Sequence, residues 1–155
     1  MPSEDHEGPV NPRLAEMERA LFTYQSVSLS DQGDTPPELP DLAQRTKTAW
    51  DTWTVSPNKY TDTLSVLPEL IVDVERAVNA YERSPEACRQ ASEVYQLTRA
   101  VLKHAGRIDL VPFVCDRVMH YAEETGDPLL IRAATWYVGQ AILSNDMPQG
   151  ALDMP

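Results

Sequence analysis

The segment HYAEETGDPLLIRAATW, residues 120 to 136, decides the fold. An apolar pattern of helical period runs up to Gly126, and a second begins directly behind Asp127 and Pro128. Glycine after a helix supplies the left-handed conformation that a C-terminal cap needs, because it has no Cβ to clash. Aspartate then offers an acceptor to the first free amides of the next helix, and proline at the first helical position forfeits no hydrogen bond. The segment therefore predicts two helices joined by a very short turn, and helices so joined pack antiparallel.

The same punctuation recurs upstream. Asn11-Pro12, Ser56-Pro57 and Ser84-Pro85 each place a capping side chain before a proline and read as helix starts. Another start is read at Asp109 in GRIDLVPFV, where Pro112 still falls in the first turn. The stretches behind these starts keep helical spacing. Tyr60, Leu64, Leu67, Ile71, Val74, Val78 and Tyr81 form one stripe, interrupted by Pro68, which predicts a kink or a break into two helices. A second stripe runs through Ala87, Ala91, Val94, Thr98, Val101 and Ala105, widened by Leu97 and Leu102. Val111, Cys115, Val118 and Ala122 form a third, flanked by Leu110, Val114 and Met119, and Leu130, Ala134, Tyr137 and Ala141 form a fourth. Gly106, like Gly126, stands where a helix is expected to end.

Before residue 56 the signals are weaker. NPRLAEMERALFTYQ reads as a helix through Leu14, Met17, Leu21 and Phe22, and PDLAQRTKTAWDTW as another through Leu42, Ala49, Trp50 and Trp53. SLSDQGDTPPELP between them reads as a loop. No segment sustains the alternation of a strand, so the fold class is all-α: antiparallel helical hairpins forming a tetratricopeptide-like helical repeat bundle. The starts at 85 and 128 lie 43 residues apart, longer than the ~34 of a tetratricopeptide unit, so the pattern is repeat-like rather than a clean repeat. The domain expected spans residues 11 to 145, with an acidic disordered segment at 1 to 10 and a further helix or tail beginning at 146.

Composition narrows the function classes. With 42% hydrophobic residues in 155, the chain can fill one proper core. No apolar run is long enough to cross a bilayer, and the start MPSEDHEGPV is acidic where a secretory signal would be basic and then apolar. Cys88 and Cys115 show no metal-binding spacing and read as buried free thiols, which suits a cytoplasmic setting. The net charge of −11 repels nucleic-acid phosphates, so direct nucleic-acid binding is not expected. That charge is uneven: residues 42 to 108 carry eight acidic and nine basic residues and form the only near-neutral third.

RLAEMERAL, LPDLAQRTKTAWDTW, KYTDTLSVLPELIVDVERAV and VYQLTRAVLKHAGRIDLVPFVCDRVMHYAEETGDPLLIRAATWYVGQAIL together carry a family resemblance over residues 11 to 145. The most specific pieces are Tyr60 with Leu67-Pro68 and Leu70, Gly106 with Asp109-Leu110, Asp116-Arg117, and Gly126-Asp127-Pro128-Leu129-Leu130. The chain resembles the tetratricopeptide-like helical region that follows the DNA-binding domain in actinobacterial helix-turn-helix regulators of the phage-repressor (XRE) type. The resemblance implies a regulatory or sensor domain, expected here without a helix-turn-helix of its own, since only ten residues precede the first helix.

Candidate sites are few. The sequence contains no phosphate-binding, dinucleotide-binding, nucleophile-elbow or zinc-protease motif, and neither a catalytic residue nor a cofactor is expected. His120 and Glu124, four apart, have metal-ligand spacing but no evident third ligand, and read as a polar-face pair. Cys115 and His120, five apart, diverge on a helix. Glu123-Glu124, and Asp73 with Glu75, read as solvated carboxylates. Arg99, Lys103 and Arg107, with Arg76 and Arg83 nearby, read either as an anion-accepting strip or as a salt-bridged surface. Trp50, Trp53, Tyr60, Tyr95, Trp136 and Tyr137 are candidates to line a ligand or partner groove, with core packing as the alternative for each. A protein or peptide partner, or a small-molecule effector, is the expected ligand class. Self-association through an uncapped C-terminal helix face is a further expectation, and a stand-alone scaffold is the second functional class.

Overall fold

The structure is a computed structural model that describes residues 11–22 and 35–146, with side chains described through residue 140. The expected acidic segment, nearly all of the tail and most of the loop between the first two helices lie outside these residues. Among the described residues all regular structure is helical: α1 (Pro12–Phe22), α2 (Leu39–Val55), α3 (Lys59–Leu64), α4 (Leu67–Ala80), α5 (Pro85–His104), a 3-10 turn at Ile108–Leu110, α6 (Val111–Thr125) and α7 (Pro128–Asp146). All-α is thus the observed class.

Three of the four proline-marked starts fall where the sequence places them. Asn11 Oδ1 accepts from the Arg13 amide at 2.9 Å, Ser84 Oγ from the Ala87 amide at 3.3 Å, and Asp127 Oδ1 from the Leu129 amide at 3.0 Å. The fourth is displaced. Ser56 closes α2 rather than opening the next helix, and α3 begins at Lys59 behind Asn58. Ser56 Oγ still accepts from the Asn58 amide at 3.2 Å and donates to Asp62 Oδ2 at 2.7 Å, so its hydroxyl organises the turn. Similarly, Asp109 lies inside the 3-10 turn and α6 opens at Val111, with Pro112 in its first turn as required. Of the two outcomes open at Pro68, the structure takes the break: α3 ends at Leu64, and α4 starts at Leu67 with Pro68 in its first turn. Leu39, read as loop, opens α2, one residue before the start expected at Pro40.

Gly106 and Gly126 take φ of +80° and +68°. After α5 the Arg107 amide reaches back to the Leu102 carbonyl at 2.9 Å, a bond that only a left-handed residue at 106 permits. The α4–α5 turn makes the same kind of bond, Arg83 amide to Val78 carbonyl at 2.8 Å, but without glycine: Glu82 and Arg83 carry φ of +54° and +56°.

The core is one cluster drawn from every described helix. Leu14, Met17 and Leu21 of α1 join Leu42 and Ala49 of α2, Tyr60 and Leu64 of α3, and Leu67, Leu70, Ile71, Val74 and Val78 of α4. Helix α5 sits at its centre and packs against α2, α3, α4, α6 and α7. Its buried residues extend beyond the predicted stripe to Cys88, Gln90, Ser92, Tyr95 and Gln96, which leaves little of the helix facing water. The Trp50 indole donates to the Glu93 carbonyl at 3.2 Å and the buried Ser92 hydroxyl to the Val118 carbonyl at 3.1 Å, tying α2 and α6 to this helix. Cys88 and Cys115 are free and buried, and burial pushes both thiols up from their ordinary range.

Candidate functional site

The predicted aromatic groove does not form as a unit. Tyr60 and Tyr95 are wholly buried, Trp50 and Trp53 are partly buried against the core, and Trp136 and Tyr137 lie on the outer side of α7. Two local groups replace it. Trp53 and Tyr60 both meet the His104 ring, at centroid distances of 5.5 and 5.1 Å, and Lys59 lies 4.6 Å over Trp53. Trp136 and Tyr137 contact each other at 5.4 Å. In the fourth predicted stripe Ala134 is buried, while Tyr137 is 37% exposed with Arg99 of α5 over its ring.

Helix α7 carries the most exposed apolar surface. Leu129 is 76% and Trp136 61% exposed, and Arg132 is the sole charged residue between 128 and 145. Pro128, Ile131, Arg132, Thr135 and Trp136 line a shallow hollow on the same helix. An ordinary surface helix alternates a buried stripe with a charged face. The outer side of α7 is apolar instead, and the inner side packs on α6 and α5.

The proposed anion strip is divided. Arg107 is taken up by Glu18 of α1 and by Asp109, whose carboxylate it holds below the usual range. Arg83 pairs with Glu124 at 2.8 Å, and Arg76 with Asp73 at 3.3 Å. Arg99 lies 5.8 Å over the Tyr137 ring, and Lys103 points to solvent one turn on. Three of these five cations thus belong to a salt-bridged surface. His120 and Glu124 are bridged by the Arg83 guanidinium, 2.7 Å from His120 Nε2, so a cation already sits between these two candidate ligands.

A polar cluster lies inside the bundle where solvated carboxylates were expected. Glu75 of α4 is buried and accepts from the hydroxyls of Tyr95 on α5 and Tyr121 on α6, the latter at 2.8 Å. Arg117 of α6, also buried, donates to the Tyr95 hydroxyl at 3.1 Å, stands 3.6 Å from Glu75 and covers the Phe113 ring at 4.7 Å. Tyr95 and Tyr121 stack 5.9 Å apart. Burial and then the Glu75 carboxylate push both phenols well above their ordinary range. Sequence reading missed this cluster, although a signal existed: Glu75 lies four residues after Ile71 and next to Val74, and Arg117 lies next to Val118, so both border apolar stripes.

A cleft of about 790 Å³ runs between α2 and the α3–α4 break. Its walls are Gln44, Arg45, Thr48 and Thr52 on one side and Asp62, Ser65 and Glu69 on the other, with Ala49 and Leu70 in its floor. No family model, curated protein or solved structure gives a significant match to this chain.

Proposed function

We propose that this chain is a regulatory protein-interaction domain, whose tetratricopeptide-like helix pairs present the outer face of α7 to a protein partner. The observation that carries the reading is the pairing of Leu129 and Trp136, 76% and 61% exposed, on a helix with one charge in its first eighteen residues. Burying two such side chains is worth about 1.5–3 kcal/mol each, and exposed Trp is the residue type most often found to anchor an interface. The regulatory setting rests on the resemblance to helix-turn-helix regulators. There the partner is a DNA-binding module, attached or separate, to which ligand binding is transmitted by a shift in helix packing or by dimerisation.

A photo-crosslinking residue placed at position 136, with one at the exposed Asp116 of α6 as the comparison, tests this in cells expressing the chain. A discrete adduct formed only from position 136, with a DNA-binding protein or with a second copy of a regulator subunit, is the expected result. An adduct with a protein of another kind favours the stand-alone scaffold. Equal labelling from 136 and 116 overturns the interface.

A further inference from the structure

A second surface, independent of α7, is built into the opposite wall of the core. Helix α2 lies along α4: the Pro37 carbonyl accepts from the Tyr81 hydroxyl at 3.1 Å, and Arg45 reaches Asp73 at 2.8 Å. Beyond that pair the helices separate, because the chain breaks at Ser65 and Val66 between α3 and α4 and there is no helical turn to fill the space. The cleft of about 790 Å³ is the result. From Gln44 to Val55 it follows α2 for about 17 Å, the length of three helical turns. Its floor is apolar, and Val55 and Val66 stand at its mouth, 76% and 45% exposed.

The rim is acidic. Asp51, Asp62 and Glu69 stand on it, and its lining cation, Arg45, is held by Asp73. Each rim carboxylate has a neighbour: Lys47 is 2.8 Å from Asp51, Ser56 Oγ 2.7 Å from Asp62, and Arg13 pairs with Glu69. The Lys47–Asp51 pair lies in solvent, where such pairs contribute little and exchange readily, and Asp62 accepts from a hydroxyl, so an incoming cation meets these two carboxylates; Glu69 is held by Arg13, which is itself bonded to the Leu64 and Ser65 carbonyls. An apolar trough three turns long with a negative rim is complementary to one kind of segment, an amphipathic helix with an apolar stripe and lysine or arginine on its flanks. A compact small molecule would leave most of so long and open a trough unfilled.

We infer that the cleft between α2 and the α3–α4 break is a docking groove for a basic amphipathic helix of a protein partner. Side chains at i, i+3 and i+7 of that helix lie along Val55 and Val66, above the buried Ala49 and Leu70, and its flanking cations meet Asp51 and Asp62. The groove is separate from the α7 face, so it stands or falls independently of the interaction proposed there.

The test uses the full chain and a labelled 14-residue helical peptide of leucine and lysine, (LKKLLKL)2, with its glutamate counterpart (LEELLEL)2, followed by fluorescence anisotropy. The lysine peptide is expected to bind and the glutamate peptide not. Thr48→Trp, which fills the cleft without changing charge at an exposed position, is expected to weaken binding at least tenfold. Asp51→Asn with Asp62→Asn is expected to weaken it three- to tenfold, and Trp136→Ala to leave it unchanged. Amide exchange with and without peptide is expected to show protection in α2 and at residues 62 to 70. Equal affinity for wild type and Thr48→Trp would mean that the lysine peptide responds only to the net negative charge, and protection on α7 would place the site elsewhere. Either result overturns the groove. Thr52→Trp repeats the fill from the next turn, so misfolding of one variant does not decide the outcome.

Discussion

Among single residues, Glu75 has the largest consequences. It is the common acceptor for two phenols from two other helices, and Arg117 lies 3.6 Å away. Removing it leaves a buried guanidinium without its counter-ion, and breaking a buried pair from one side costs about 3–5 kcal/mol. Glu75→Ala should therefore lower the urea midpoint severely, whereas Tyr121→Phe, which removes one donor, should cost about 1–3 kcal/mol. A companion prediction concerns alkali. Tyr95 is held neutral far above the 10.0 of a free phenol, so its contribution to stability is complete below about pH 10 and is lost as pH rises. Ultraviolet titration should show Tyr95 and Tyr121 ionising only with global unfolding. The sequence carried only the bordering of apolar stripes as a signal, and a carboxylate beside such a stripe is ordinarily solvated. Only its partners on α5 and α6, twenty to forty-six residues away, make burial tolerable.

Between elements, the turns carry the information that sequence reading recovers best. Asn11, Ser84, Asp127, Gly106 and Gly126 were legible because each does its work within four residues of itself. Ser56-Pro57 misled for the same local reason: the cap and the proline are present, but α2 runs on to Val55 and the turn takes two further residues to reverse. Gly126 has open space where a Cβ would stand, so Gly126→Ala should cost only the left-handed backbone term, about 1–2 kcal/mol. Glu82, exposed at φ +54°, is the converse case, and Glu82→Gly should raise stability by roughly 1 kcal/mol in the same denaturation assay. At the α6–α7 turn, the Arg89 guanidinium and then the Leu129 amide hold the Asp127 carboxyl below its ordinary range. A depressed carboxyl contributes above its unfolded pKa and ceases to as pH falls through the folded one. Asp127→Asn should keep the cap but lose that acid sensitivity, and Asp127→Ala should lose both, as measured by thermal melts at pH 7 and pH 3.

Over the whole molecule, periodicity identified the core faces of α4, α5 and α6 but not the open side of α7. Its residues Leu130, Ala134 and Tyr137 have helical spacing like the others, and spacing alone does not say whether a neighbouring helix covers the face. The charged strip divided for a related reason. Arg107 finds Glu18, 89 residues away, a pairing that no local window contains. The aromatic set scattered because its members lie on four different helices, two of them wholly inside.

Helix α5 has a kinetic consequence beyond packing. A stack of helix pairs that touch only their neighbours can melt from its ends inward, one pair at a time. Here a single helix is shared by α2, α3, α4, α6 and α7, so neither flank has a private core into which to retreat. Backbone amides from Val94 to Leu102 should therefore exchange deuterium at the global unfolding rate and share one denaturant dependence, while those of α7 exchange through smaller, local openings. The slow set would mark the part of the chain on which the five helices packed around it depend for their lifetime.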